Sequence, residues 1–210
     1  MDRTQQQDAA KTGMIKPDAA KPANAKPGKA KRRVRNLAVM AVAALVWLVL
    51  DQVTKQAAEA ACVLGAGPVW DLPGIMAIEL VHNRGAAWGT FSGHVDCIVL
   101  VTVLIMAVMA VWGVIESRTA SPLVMLGFGL VLAGGAGNLI DRVASGYVVD
   151  MIEPLFIQFP TFNVADIGIT CGFVVVAVAL IVQQARSGAS DPAQDEPQAQ
   201  TPSERKDLRL

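Results

Sequence analysis

Six ionisable side chains gather at or just beyond the ends of apolar stretches: Asp51, Lys55, Asp141, Arg142, Asp150 and Asp166. Charge at such positions is costly in a bilayer and marks function. Asp150 and Asp166 lie 16 residues apart around Pro154 and Pro160, so one short connection can bring them together. Two carboxylates in a partly dehydrated site do not both ionise readily; one keeps its proton and the pair titrates as a unit. The ionised member can activate a water while the protonated member donates to a carbonyl or a leaving amine. This chemistry is amide hydrolysis without a nucleophilic side chain. For any one carboxylate, helix capping or pairing with Lys55 or Arg142 is an equally good account, but for the cluster it is not.

Other chemistries find little support. His82 and His94 are not at metal-ligand spacing, and Cys62, Cys97 and Cys171 form no CxxC, so neither a metal nor an organic cofactor is expected. Cys62 and Cys97 are left open between packing thiols and a disulfide. Gly134-Gly-Ala-Gly137 lacks the Lys-Ser/Thr of a phosphate-binding loop and lies inside an apolar stretch, which favours helix packing.

The elements that must position these groups are membrane spans. Of 210 residues, 53% are hydrophobic and 17% charged, a composition that fits neither a soluble globule nor a nucleic-acid binder. Apolar stretches begin at Leu37, Ile98, Pro122 and about Ile167, the first continuing as helix toward Ala61. An N-terminal signal peptide cleaved after Ala58-Glu-Ala60 is a poorer account of the first stretch, because Asp51 and Lys55 intervene. The expected fold is therefore an all-α membrane protein of four transmembrane helices. Strand-like runs at Val81–Thr90 and Tyr147–Ile152, with turns at Pro68, Pro73-Gly74 and Gly93, predict a small β element outside the spans.

The zero net charge conceals a strong asymmetry. Residues 1–35 carry +7, residues 36–185 carry −6 and residues 186–210 carry −1. The first and last zones read as disordered cytoplasmic leader and tail around a membrane domain over 36–185. Lys and Arg flanking the spans place both termini in the cytoplasm, with residues 59–94 and 143–163 outside. The ionisable cluster then falls at the outer face.

Within the spans, Asp51 and Lys55 share a helical face, as do Asn138, Asp141 and Arg142, while Gly134 and Gly137 leave that second face thin. A proton-coupled transporter is the alternative reading of such a cluster, and a scaffold with polar helix glue is a third. One-sided placement disfavours the transporter, whose relay needs polar groups throughout the bilayer.

Five ordered motifs resemble the boxes of bacterial lipoprotein signal peptidase, or signal peptidase II. They are Asp51-Gln-Val-Thr-Lys55, Asn83-Arg-Gly-Ala-Ala-Trp-Gly89, Gly134-Gly-Ala-Gly-Asn138-Leu-Ile-Asp-Arg142, Val148-Val-Asp150 and Phe162-Asn-Val-Ala-Asp166. The resemblance covers residues 36–185 and departs at Trp88, where Phe is commoner. It implies a four-helix inner-membrane aspartic endopeptidase that removes the signal peptide of prolipoproteins before a diacylglyceryl-modified cysteine. It makes Asp150 and Asp166 the catalytic dyad, with Asn138, Arg142 and Asn163 orienting dyad and substrate and stabilising the oxyanion. Asp51, Lys55, Asn83 and Asp141 would hold the site together, and Asn83, Gly85, Ala86 and Ala87 would shape the wall near the lipidated cysteine. The implied partners are prolipoproteins and membrane lipids, with no nucleic acid and no cofactor.

Overall fold

The computed structural model describes residues 28–85 and 93–188. In chain order the elements are α1 (Lys29–Ala61), β1 (Trp70–Leu72), β2 (Met76–Asn83), α2 (Val95–Glu116), α3 (Pro122–Ser145), β3 (Val148–Pro154) and α4 (Val164–Gly188). All four helices are long and apolar enough to cross a membrane. The strands form one antiparallel sheet in the order β1-β2-β3, with an irregularity in the β2–β3 register between Ile78 and Val81.

Helix α3 is the centre of the bundle and packs against the other three. In its most apolar window 61% of residues are buried, against 11% in α2, so α2 presents most of its surface to lipid. Phe128 and Met125 of α3 are fully buried, packed with Met109, Val131 and Val176. Local sequence sets both ends of α3. Ser121 caps its start by accepting from the Val124 N–H, and Pro122 occupies the first turn, where its missing N–H costs nothing. Gly146 ends it with φ of 78°, a left-handed conformation that a side chain disfavours, and its N–H returns to the Arg142 carbonyl. The chain then enters β3 directly, which delivers Asp150 beside the last turn of α3.

Three boundaries differ from expectation. The basic run Lys29–Arg35, expected in a disordered leader ending at residue 35, is the first two turns of α1. Asn36 accounts for its order: fully buried, it donates through Nδ2 to the Ser117 and Ala120 carbonyls at 3.0 and 2.9 Å, tying α1 to the α2–α3 turn. Second, the strand expected over Val81–Thr90 starts at Met76 and ends at Asn83, because pairing with β3 reaches Met76 opposite Pro154. Residues 86–90, and with them Ala86, Ala87 and Trp88, lie outside the described residues. Third, α4 runs from Val164 to Gly188, starting before the expected Ile167 and reaching past the tail boundary expected at residue 186. Cys62 and Cys97 are both free thiols, the first buried and the second exposed.

Candidate active site

The site lies where the end of α1, the end of α3, the start of α4 and strands β2 and β3 meet. Helices α3 and α4 approach closely there: a methyl group added at Gly134 would collide with the Ala165 carbonyl and with Ile169, and one at Gly137 with the Asp51 carboxylate. Ala165 precedes Asp166, so this approach sets the depth of that carboxylate. Gly134→Ala is therefore expected to destabilise the fold by about 1–3 kcal/mol, since backbone cannot yield as a side-chain tip can. A thermal melt with the wild-type midpoint would contradict the close-packing account.

Beneath the site is a buried ion cluster. Lys55 Nζ lies 2.9 Å from both Asp51 Oδ2 and Asp141 Oδ2, and donates to Asn138 Oδ1 at 3.0 Å. All four side chains are buried. Each carboxylate also braces a neighbouring element. Asp51 Oδ1 accepts from the Ala165 N–H at 2.8 Å, joining α1 to the start of α4, and Asp141 Oδ2 accepts from the Val149 N–H at 3.3 Å, joining α3 to β3. Gln52, which the sequence reading passed over, donates to both Asp51 and Asp141 at 3.2 Å. Its signal was available: a polar side chain beside Asp51 in an apolar helix requires partners.

Above this base stand Asp150 on β3 and Asp166 in the first turn of α4. Asn163 touches both. Its Nδ2 donates to Asp150 Oδ1 at 2.7 Å, while its Oδ1 accepts from the Asp166 N–H at 3.0 Å and its own N–H donates to Asp166 Oδ2 at 3.2 Å. The last two bonds form a reciprocal cap on α4, which explains its start at Val164. Asn138 holds the other oxygen of Asp166, its Nδ2 donating to Oδ1 at 2.8 Å. The orientation of that amide follows from its surroundings. Oδ1 of Asn138 receives Lys55 Nζ and Asn163 Nδ2, both donors, so its Nδ2 must face Asp166.

Asn83 completes the hold on Asp150, donating to Oδ2 at 3.0 Å, while its own Oδ1 accepts from the Gly85 N–H at 2.9 Å. Arg142 donates through Nη2 to the Gly85 carbonyl at 2.9 Å and through Nη1 to the Asn138 carbonyl at 3.4 Å. Its Nε–H is buried and finds no partner among the described residues. Asn83, Asn138, Arg142, Asp150, Phe159 and Asp166 all line one cavity of about 220 Å³. Burial pushes the Asp150 carboxyl up from 3.8 to about 6. The Asn83 hydrogen bond opposes that rise, the Asp166 charge adds to it, and the Asn163 hydrogen bond and Lys55 charge oppose it.

The structure thus brings together ten of the twelve residues singled out by sequence, Ala86 and Ala87 lying outside the described residues. Asn83, Asn138, Arg142, Asp150 and Asp166 line the cavity, Asn163 and Gly85 hold that lining through hydrogen bonds, and Asp51, Lys55 and Asp141 satisfy one another below it. Arg142 forms no ion pair with an aspartate among the described residues and binds carbonyls instead. For Asp51 and Asp141, pairing with Lys55 is the role observed.

Residues 43–182 match the family model described as signal peptidase (SPase) II. The lipoprotein signal peptidase of Lactococcus lactis subsp. lactis (strain IL1403) is 36% identical over 141 residues, covering 67% of this chain and 91% of its own. That of Streptococcus pneumoniae (strain ATCC BAA-255 / R6) is 33% identical over 151 residues, covering 72% of this chain and 97% of its own. Among solved structures, a bacterial membrane enzyme obtained by the in meso method at 2.3 Å resolution superposes with a TM-score of 0.64 at 28% identity. That match covers 75% of this chain and 93% of the other. Fold and relatives together define a membrane-embedded peptidase. The chain belongs to the signal peptidase II family of aspartic peptidases, with lipoprotein signal peptidase activity. This membership displaces the transporter reading.

Proposed function

We propose that Asp150 and Asp166 are the catalytic dyad and that the chain cleaves prolipoproteins immediately before a cysteine bearing a diacylglyceryl group. The observation that carries this reading is the Asn163 clamp, which binds both carboxylates at the edge of one cavity. In the proposed step the ionised aspartate takes a proton from water as its oxygen attacks the scissile carbonyl carbon. The protonated partner gives its proton to the carbonyl oxygen. Collapse of the tetrahedral species returns that proton, and the nitrogen leaves with the one taken from water, so the dyad ends with the single proton it began with. Arg142, which lines the cavity and whose Nε–H has no partner among the described residues, supplies a donor for the developing oxyanion.

The substrate's acyl chains would remain in lipid and hold the cleavage point at interface depth. The basic residues at the start of α1 favour both termini in the cytoplasm, with the dyad at the periplasmic face of the inner membrane. Residues 1–28 and 189–210 are then leader and tail of one membrane domain. Purified protein in detergent is expected to cut diacylglyceryl-modified precursor and to leave unmodified precursor intact. Equal cutting of both would overturn the lipid-specific reading.

A pH dependence follows from the raised Asp150 value. A carboxyl whose pKa is about 6 keeps its proton until that pH, and above it the dyad loses the shared proton, so kcat/KM is expected to fall as pH rises past about 6. The sign for folding is the same. The folded chain holds this proton more tightly than the unfolded chain, so the group's contribution to stability is full below 3.8 and is lost as pH rises toward 6. Asn83→Ala removes a donor that favours the carboxylate, and the falling limb is expected to move to higher pH. A limb that stays in place or moves down would contradict the assignment.

A further inference from the structure

A second cavity of the bundle lies at the end opposite the dyad. It is a groove of about 750 Å³ along the α3–α4 seam, walled by Val124, Val174 and Val178 and rimmed by Arg32, Ser121 and Arg186. Asp51 follows Arg32 by 19 residues of continuous helix, which at 1.5 Å per residue is about 28 Å, close to the thickness of a hydrocarbon core. The groove mouth therefore opens at one membrane surface and the peptidase site at the other.

Three observations bear on what fills it. Its walls are aliphatic and face lipid: Val174 and Val178 are both more than half exposed in the isolated chain. Its rim is strongly basic. Besides Arg32 and Arg186, this end carries exposed Lys29, Lys31, Arg33 and Arg35 on α1 and Arg118 in the α2–α3 turn, against one acid, Glu116, among the described residues. The start of α3, with its N–H groups and positive dipole end, also borders the rim at Ser121 and Leu123. Arg32 is held in place there by donating to the Thr119 and Ala120 carbonyls, which spans the gap from α1 to the turn. A groove that is aliphatic along its length and cationic at its interfacial mouth matches an acyl chain joined to an anionic headgroup. The signal helix of a substrate fits less well, because its own basic N-terminal region would meet this rim.

We infer that this groove is a binding site for an anionic phospholipid, its phosphate at Arg32 and Arg186 and one acyl chain along Val174 and Val178. The site also gives the basic start of α1 a specific ligand in addition to its part in topology. A basic side chain near an anionic surface is worth about fivefold in binding, so two give about 25-fold.

Full-length protein in neutral detergent, with lipid retention read by native mass spectrometry, tests the inference. Phosphatidylglycerol and phosphatidylcholine of identical acyl chains are the probes. Wild type is expected to retain phosphatidylglycerol about 25-fold more strongly, Arg186→Gln to lower that ratio about fivefold, and Arg32→Gln with Arg186→Gln to bring the two lipids within about twofold. Because Arg32 also holds the α2–α3 turn, Val178→Trp provides an independent arm: filling the groove is expected to abolish retention of both lipids with peptidase activity unchanged. Equal retention of the two lipids by wild type, or retention untouched by every variant, would overturn the site. Displacement of phosphatidylglycerol by glycerol 3-phosphate would reduce it to a phosphate site, and displacement by a diacylglyceryl prolipoprotein would assign the groove to substrate. Either result overturns the phospholipid reading.

Discussion

Asp150→Asn and Asp166→Asn are each expected to lower kcat by about 10⁴-fold or more, with the double variant no slower than either single one. General acid and base catalysis contribute about 10²–10⁴-fold each, and in the proposed dyad the two carboxylates share one proton, so losing either removes both functions. Non-additivity is the sharper part of the expectation. Two residues that merely neighbour the cavity would give effects that multiply, whereas a dyad gives effects that do not. Asn conserves the size of either side chain, and the binding of uncut diacylglyceryl precursor provides the folding control. Retention of a tenth of wild-type kcat by either single variant would end the assignment. The Asn163 clamp adds a second reading of the same experiment. Its Nδ2 donates to Asp150 Oδ1, and an amide at position 150 must turn its own oxygen toward both Asn163 and Asn83 to avoid opposing donors. One oxygen cannot face both, and position 166 meets the same conflict between the Asn138 amide and the Asn163 N–H, so both single variants are expected to lower the melt.

Lys55→Met is expected to destabilise the protein by about 3–5 kcal/mol, the usual consequence of removing one partner from a buried ion cluster. The substitution leaves Asp51 and Asp141 as buried carboxylates without their shared cation and also removes the donor that orients Asn138. Activity should fall with it, because Asn138 in turn fixes Asp166. Combining Lys55→Met with Asp51→Asn and Asp141→Asn separates charge from packing. The triple variant buries no unpaired charge and should recover most of the lost stability, whereas an equally unstable triple variant would show that the lost ammonium hydrogen bonds, and not unpaired charge, set the cost. Chemical denaturation in detergent reads both. A loss below about 1 kcal/mol for Lys55→Met would mean that water reaches the cluster.

These two expectations draw on information of different accessibility. Asp150 and Asp166 were legible because their placement is nearly local: the α3 cap at Gly146, a short strand and the opening of α4 confine both to one corner, and proline spacing revealed the turnaround. The four spans were legible because twenty apolar residues have few other uses. The Asp51–Lys55 pair was legible from helical spacing. That Asp141 closes on the same lysine depends on the packing of α1 against α3, a contact between residues 86 apart in sequence, which no periodicity encodes. Asn36 was missed for a related reason. It is a single polar residue whose partners are carbonyls of the α2–α3 turn, so its value exists only after the bundle forms. Asn163 stands between. Its cap of Asp166 at three-residue spacing follows a local rule, whereas its bond to Asp150 requires the fold. Strand β1 was missed because three exposed residues, Trp70–Leu72, carry no alternation to read.

The turn from Asn83 to Gly85 couples two parts of the site that would otherwise be independent. Its first residue fixes the carboxyl of Asp150 and its last holds the guanidinium of Arg142 through a carbonyl. In the proposed mechanism, proton inventory and anion stabilisation therefore hang from one three-residue fulcrum. Any ligand or lesion that tilts it acts on both at once, so an inhibitor wedged against this turn need not touch either aspartate to silence the enzyme.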